Sequence, residues 1–483
     1  MTKRGLIVVV VAACSSNSSS PCAVDSDCQA GSVCELHDAQ PSCVAADEAT
    51  IVIGEGLALT GVNQGEGLAV KQGVELAFAD QNAAGGIRGR AVEIQFIDDG
   101  FAPDVAEQVA RDMLDVDVSP SDPPRCPSTA VVSDTAIARG PNAVLALLGN
   151  VGSAAVLRAA PVAIETGTVY FGGVTGTPAL LRDTSTGDCA RSIFNVRASY
   201  AEEARATVEL FHAKGIADAA QLVSFDQDDS FGQDGYNGLV VAFQDVVGPF
   251  PAGSDPTTPI VRFRYTRSDD TSVPAQAQAA TDYLTQLLTN RAGPITVGIM
   301  MTDTYGAAAS FITAVRQWQY DGAQAGLQKD TRLTLLFSNV SVVESNFLTE
   351  RLVAAGTVQT PAGPKPYTDA VYVSQVVPNY QTDASDLVQA YASGVSSPSF
   401  LSLEGYLVAR VFLAGLAAHE GPFTADSLAA TLEQPLDVGL TGSFGFTGDH
   451  QYSHSVWGTA LQPDGTFRDA YRWTSGSPIV LLE

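Results

Sequence analysis

From residue 50 onward, short apolar runs alternate with longer amphipathic stretches, and the alternation predicts repeated strand–helix units. Ile51-Val52-Ile53 reads as a buried strand. Residues 70–82 read as a helix, with Val70, Val74, Ala77 and Phe78 on one face at helical spacing. Gly85-Gly86 stops it. Val92, Ile94 and Phe96 alternate, giving a second strand that ends at Asp98-Asp99. Pro103 starts another helix, on which Val105, Val109, Met113 and Val116 are expected to face inward. Residues 144–148 form a third strand, 154–165 a helix, and Val169-Tyr170-Phe171 a fourth strand. Repeated βαβ units of this length predict a parallel sheet covered by helices on both faces.

The rhythm restarts after Arg197. Helices are expected at 201–214, 233–246, 275–290, 305–318 and 344–355. Strands are expected at 221–225, 260–265, 295–301, 332–337 and 371–376. Two βαβ runs imply two lobes. Ligands of such sheets bind off the carboxyl ends of the strands, which places a site in the cleft between the lobes.

The N-terminus reads as an address. A basic start, Lys3-Arg4, precedes nine uncharged and mostly apolar residues, 5–13, too few to span a bilayer. The run ends Val11-Ala12-Ala13-Cys14, which resembles a bacterial lipobox, with a cut before Cys14 and lipid on its sulfur. The expected signal peptide is 1–13, and the protein is expected in the periplasm or cell envelope as a lipoprotein. No later segment has 18 apolar residues without a charge, so the rest of the chain is expected to be soluble.

Composition narrows the function classes. The 483 residues are 45% apolar and 16% charged, as in a packed globular protein of two or three domains. Asp and Glu total 53 against 26 Lys and Arg, a formal charge of -27, which repels phosphate backbones and argues against nucleic acid as a partner. Five His give little material for acid–base or metal chemistry.

Seven Cys remain to be placed. With Cys14 lipidated, six are left, and export permits disulfides. Cys22, Cys28, Cys34 and Cys43 lie in a stretch with too few large apolar residues for a core, so two disulfides in any of three connectivities are expected to hold it. Their spacing does not match paired zinc-ligating cysteines. Residues 14–48 read as a stapled spacer between lipid and domain. Cys126 and Cys189 both lie in loops and are expected to pair.

Several stretches together carry a family resemblance: Leu59-Thr60-Gly61, Asn82-Ala83-Ala84-Gly85-Gly86-Ile87-Arg88-Gly89-Arg90, Asp98-Asp99 and Gly149-Asn150-Val151-Gly152-Ser153. They continue with Phe194-Asn195-Val196-Arg197, Asp229-Ser230-Phe231-Gly232, Gln375-Val376-Val377-Pro378 and Leu403-Glu404-Gly405-Tyr406. In this order they resemble the type I periplasmic binding proteins, the group that includes the leucine/isoleucine/valine-binding protein. The similarity runs from about residue 50 to the end, apart from an insertion around 117–141. It implies an α/β fold of two doubly wound parallel-sheet lobes joined by a three-segment hinge. The crossings fall near 192–197, 374–381 and 438–448, with 50–193 and 381–438 in the N-terminal lobe and 194–380 and 439–483 in the other.

The resemblance also implies ligand-binding residues. Gly152-Ser153-Ala154 sits where a strand turns into a helix, so free N–H groups and the helix dipole favour a carboxylate there. Ser153 matches the family's carboxylate-holding serine, and as a plain structural residue it would be a helix N-cap. Thr175 matches a ligand-binding hydroxyl, with Thr177 as the alternative register. Tyr200 and Tyr305 match aromatics packed over the ligand. Where amino-acid-binding members place an acid for the ligand ammonium, this chain has Ser341, with Glu344, Asp303 and Glu404 as other possible partners.

Other signals are discounted. Gly54-Glu55-Gly56 and Gly65-Glu66-Gly67 do not complete a dinucleotide fingerprint. Asp226, Asp228 and Ser230 mimic a calcium loop but lack its Gly and closing Glu. His450 and His454 are four apart in a stretch that is not helical, so no metal or cofactor is expected. No nucleophile elbow occurs. The sequence therefore predicts a receptor, not an enzyme, which closes its lobes on an amino acid or related small carboxylate. Its membrane partner is expected to be the permease of an ATP-driven ABC importer or a sensory protein. A structural or sensing lipoprotein with no transport role is the rival.

Overall fold

The computed structural model describes residues 20–37, 40–46, 49–126, 137–178, 188–442, 444–446 and 449–482. The expected signal segment and Cys14 lie outside the described residues.

The first described elements are a hairpin, β1 (Ser32–His37) and β2 (Gln40–Ala45). The first lobe then alternates β3 (Ile51–Leu57), α1 (Gln64–Ala83), β4 (Val92–Asp98), α2 (Pro103–Met113), β5 (Leu147–Leu148), α3 (Ser153–Thr166), β6 (Tyr170–Phe171) and β7 (Ile193–Phe194). Its sheet has the order β4-β3-β5-β6-β7, with every pair parallel.

The second lobe begins with α4 (Tyr200–Ala213), β8 (Leu222–Gln227), α5 (Ser230–Val246), β9 (Val261–Tyr265) and α6 (Val273–Asn290). It continues through β10 (Ile295–Thr302), α7 (Tyr305–Tyr320), a short α8 (Lys329–Arg332), β11 (Leu333–Val340) and α9 (Ser345–Ala355). A small hairpin, β12 (Thr357–Thr360) and β13 (Gly363–Pro366), leads to β14 (Val371–Gln375). The chain then returns to the first lobe for α10 (Asp386–Gly394), α11 (Phe400–Ala418) and α12 (Ala425–Leu432). It ends in the second lobe with β15 (Ser455–Leu461), β16 (Phe467–Thr474) and β17 (Val480–Leu481). That sheet has the order β17-β16-β15-β14-β11-β10-β8-β9.

The central strands are near-continuous apolar runs because helices cover both faces. β8 is buried along its whole length, and β10 at all but one position. The pattern from β9 to β14 is parallel, whereas β14 to β17 are antiparallel. The antiparallel end has no crossover helix. A tight Pro463-Asp464-Gly465 turn joins β15 to β16 instead, with Asp464 Oδ1 accepting from Thr466 N at 3.0 Å.

Two helix expectations need correction. α1 starts at Gln64, six residues before its periodic apolar face. Its first turn holds Gly65 and Gly67, poor helix formers that tertiary contact retains. A Cβ on Gly67 would lie 2.1 Å from Ala58 O, and one on Gly65 2.7 Å from Phe347 Cε2. On α2, Val109, Met113 and the following Val116 are buried, but Val105 is 43% exposed and does not face in.

α11 is long and apolar enough to cross a membrane, yet 83% of its most apolar window is buried inside the protein, against α1 and α12. It is a core helix.

The cysteine-rich stretch is more than a spacer. Cys22 is joined to Cys34 and Cys28 to Cys43. The stapled hairpin docks on the first lobe: Asp25 pairs with Arg88 at 2.5 Å and Glu35 pairs with Arg90. Both guanidinium groups lie over the Phe423 ring, 4.8 and 5.6 Å from its centre. A third disulfide joins Cys126 to Cys189.

Three passages connect the lobes, after β7, after β14 and before β15. The first and third run side by side: Asn195 N donates to His450 O at 2.8 Å, and Tyr452 N to Asn195 O at 2.8 Å. His450 stacks on Phe194 with ring centres 4.1 Å apart. His454 Nδ1 meets Glu202 Oε1 at 2.8 Å, and its Nε2 meets Asp449 at 3.4 Å. The Asp449 and Glu202 carboxylates push the His454 imidazolium up to about 9. Its stabilising effect is therefore complete below the unfolded value of 6.5 and is lost as pH rises through about 9. Melting scans from pH 6 to 10 should show the gap between the wild type and His454→Gln closing across that window. A pH-independent gap would remove the ion pair from the account.

Candidate functional site

The carboxyl end of β5 leads through Gly149-Asn150-Val151-Gly152 into α3. Gly152 has φ 90°, in the left-handed region, and a Cβ there would meet Phe101 Cε2 at 2.6 Å, so glycine is required. The turn is pinned from two sides. Tyr170 Oη donates to Asn150 Oδ1 at 2.8 Å, and Asn150 Nδ2 donates to Asp99 Oδ2 at 2.8 Å.

Ser153 is the first residue of α3 and is 1% exposed. It does not cap the helix, since the N-cap position is Gly152 and carries no side-chain bond. Its Oγ instead lies 2.8 Å from Thr175 Oγ1, in the buried loop after β6. The N–H groups of residues 153–155 belong to a first turn that has no intrahelical acceptors. Two hydroxyls and a helix N-terminus thus converge, an arrangement suited to a carboxylate. Thr177 lies in the same buried loop, and its N–H donates to Thr175 Oγ1 at 3.2 Å.

Tyr200 closes the hinge side of this loop. It starts α4, which Ser199 and Glu202 cap reciprocally, and its N–H donates to Gly176 O at 2.9 Å. Its buried ring stands 5.3 Å from Phe231 and 5.5 Å from the Arg197 guanidinium. The motif around Phe231 gives that residue no role on its own; its place beside Tyr200 emerges only from the packing of α4 on α5.

Ser341 is buried and bonded to side chains of the protein. Its N–H donates to Glu203 Oε2 at 2.8 Å, and its hydroxyl accepts from Arg197 Nη2. Arg197 is fully buried and also reaches Glu203 at 2.5 Å and Glu404 at 3.4 Å. Burial would lower the Arg197 pKa, but the Glu404 and Glu203 carboxylates outweigh it and hold the guanidinium charged. Glu404 is therefore spoken for as well. So is Glu344, which accepts from Asn346 N at 3.1 Å, Ser399 Oγ at 3.2 Å and Leu401 N at 3.3 Å. Burial pushes the Glu344 carboxyl up to about 7, against those bonds.

Tyr305 occupies a separate contact between the lobes. It opens α7, and its Oη donates to Val62 O at 3.1 Å. Its ring lies 5.3 Å from Phe347 and 4.8 Å from the Arg351 guanidinium. Nearby, Arg267 Nη2 donates to Phe101 O at 2.6 Å and Ser268 Oγ to Asn63 Oδ1 at 3.3 Å. Second-lobe side chains thus hold the first lobe at several points along the cleft.

A family model described as "Periplasmic binding protein" matches residues 50–119 and 140–466, well over half of the chain. The chain belongs to the periplasmic binding protein family. The gap in that match, 120–139, falls within the insertion expected around 117–141. Among solved structures, a possible leucine/isoleucine/valine-binding protein from Rhodopirellula baltica SH 1 is 25% identical, with a TM-score of 0.67 over 88% of this chain and 97% of that one. A branched-chain amino acid transporter substrate-binding protein from Streptococcus pneumoniae, in complex with isoleucine, is 15% identical, with a TM-score of 0.60 over 90% and 100%. A solute-binding protein from R. palustris, in complex with benzoate, is 16% identical, with a TM-score of 0.60 over 90% and 98%. No curated protein sequence matches the chain. Periplasmic binding proteins capture small molecules outside the cytoplasm for ABC transporters and are binding proteins, not enzymes.

Proposed function

We propose that this periplasmic binding protein is a lipid-anchored receptor, held through Cys14, that closes on an amino acid or related small carboxylate and delivers it to an ABC permease. One observation carries the reading: the Ser153 and Thr175 hydroxyls meet at 2.8 Å in front of the α3 N-terminus. Gly152 and Ala154 flank that seat and Tyr200 covers ligand from the second lobe, while Tyr305 lines the cleft at its separate contact with Val62. Ligand bound at the seat favours closure only as far as it binds the closed form better. The crossings after β7, after β14 and before β15 act as the hinge between 50–193 with 381–438 and the remainder. The relatives bound to isoleucine and benzoate both hold a small carboxylate, in keeping with such a seat.

Melting curves of the whole protein against a panel of amino acids and small carboxylates test the reading. A ligand at 100 times its dissociation constant adds about 2.7 kcal/mol, which is readily seen. Ser153→Ala should abolish the response without lowering the ligand-free melting temperature by more than a degree or two. A panel that moves nothing, after partial unfolding and dialysis to remove any prebound ligand, would favour a structural lipoprotein instead.

A further inference from the structure

We propose that the disulfide-stapled hairpin is a rigid mount that fixes how the protein stands on a lipid surface: the pole of the first lobe farthest from the cleft faces the membrane, and the second lobe is the one free to swing. The inference rests on the lipid anchor at Cys14 in the reading above and adds the orientation that this anchor imposes.

The protein end of the tether is held. Residues 15–19 alone separate Cys14 from Ser20, a reach of at most about 20 Å when fully extended. Ser20 O accepts from Cys43 N at 3.0 Å, Pro21 pairs with Ser42 in a β-bridge, and Cys22 is joined to Cys34. From there the contacts pass into the first lobe. Asp25 accepts the Cys34 N–H on Oδ1 at 2.8 Å and meets Arg88 through Oδ2. Arg88 donates onward to Gly421 O at 3.0 Å, and Arg90, paired with Glu35, donates to Ala49 O at 2.5 Å. A Cβ on Gly421 would lie 2.6 Å from Ala23 O, so the main chain of the hairpin segment lies directly against that of the lobe.

This dock lies at the end of the lobe away from the cleft. β3 begins beside it, where Ile51 N donates to Ala91 O next to Arg90, and its carboxyl end leads to Val62, whose carbonyl meets Tyr305 of the second lobe. α11 runs the opposite way. It begins where Glu344 of the second lobe accepts from Ser399 Oγ and Leu401 N, and it ends just before Gly421 and Phe423. Its 19 residues span about 28 Å, more than the tether can reach. In the second lobe, α7 leaves the cleft at Tyr305 and carries the chain outward to Tyr320. The formal charge of -27 gives no attraction to anionic headgroups that would lay both lobes flat on a bilayer. A short tether that ends in a docked hairpin therefore stands the molecule on its first lobe, whereas a spacer flexible from 14 to 48 would let either lobe approach the lipid.

Phosphatidylcholine vesicles carrying a rhodamine-labelled headgroup lipid test the mount. The whole protein is expressed with its own signal segment, and mass spectrometry reads the lipid on Cys14. A donor fluorophore is attached through an unnatural azide-bearing residue, which leaves the cysteines untouched, in place of Glu420, exposed beside the hairpin, or of Gly326, exposed beyond α7. With a tether shorter than α11, energy transfer to the lipid should be at least about threefold more efficient from position 420 than from position 326. Asp25→Lys combined with Glu35→Lys turns both docking pairs repulsive without altering the lobe, and it should free the hairpin and bring the two efficiencies together. Hydrogen exchange of the hairpin amides reads that release. Equal transfer in the wild type overturns the inference, and so does a difference that persists once exchange shows the hairpin freed. Should the double variant fail to fold or keep its hairpin docked, the wild-type comparison still decides. Lipidated protein with equal transfer leaves the anchor standing and removes only the mount; protein with no lipid on Cys14 removes both.

Discussion

Arg197→Leu is expected to destabilise the protein by about 3–5 kcal/mol, read as a lower denaturant midpoint. The guanidinium is 1% exposed at its side chain and touches Glu203, Glu404 and Ser341. Glu203 also accepts from Ser341 N and from Ser374 Oγ at 2.7 Å. This one cluster ties the first crossing to α4, to the end of β11, to β14 and, through Glu404, to α11 of the first lobe. Leucine would leave two buried carboxylates without a counter-charge, and that uncompensated burial is the source of the loss. The triple variant Arg197→Leu, Glu203→Gln, Glu404→Gln should recover a large share, since replacing a buried ion cluster by neutral groups is often close to neutral. A loss below about 1 kcal/mol in the single variant would mean that water reaches the cluster. The position also bears on function: the cluster joins both lobes beside Tyr200, so a destabilised hinge should weaken ligand response along with stability.

Gly73→Val is expected to cost about 3 kcal/mol or more, by wedging α1 away from α11. A Cβ at Gly73 would lie 1.8 Å from Ser402 O and 2.6 Å from Tyr406 N. The facing helix uses the same device: a Cβ at Gly405 would sit 2.5 Å from Val70 O. The two helices therefore touch backbone to backbone, and no rotamer change can relieve a side chain placed between two main chains. Gly326→Ala is the control, because that glycine is exposed and a Cβ there would meet nothing within 4 Å. Thermal midpoints of the two variants should differ by many degrees; equal midpoints would mean the α1–α11 contact yields easily. Because Glu404 precedes Gly405 on α11, the same displacement would disturb the Arg197 cluster, so the two substitutions should not be additive.

Much of the site is legible in the sequence because its residues lie at strand-to-helix turns. Ser153 follows the glycine that lets β5 turn into α3, and Thr175 follows β6, so chain order alone places both at the carboxyl ends of neighbouring strands. Phe231 and the pinning of Asn150 by Tyr170 and Asp99 do not emerge in this way, since each role depends on a partner distant in the chain. Ser341 shows the converse. Its position after β11 follows from the pattern, but its partners at 197 and 203 occupy it, and nothing local to residue 341 signals that.

Local signals along the chain suffice for the βα rhythm, the division into two lobes and the position of the α3 turn. Apolar runs mark strands covered on both faces, and period-3.6 faces mark the helices. Long-range packing was needed to establish that α1 begins at Gln64, that the last strands run antiparallel, and that the cysteine-rich hairpin docks through Asp25 and Glu35. Packing also settles which buried charges are matched, Arg197 with Glu203 and Glu404, and leaves Asp303 without a partner among the described residues. Burial and pairing are properties of neighbours brought together from far apart in the chain, and a pattern read along the chain does not contain them.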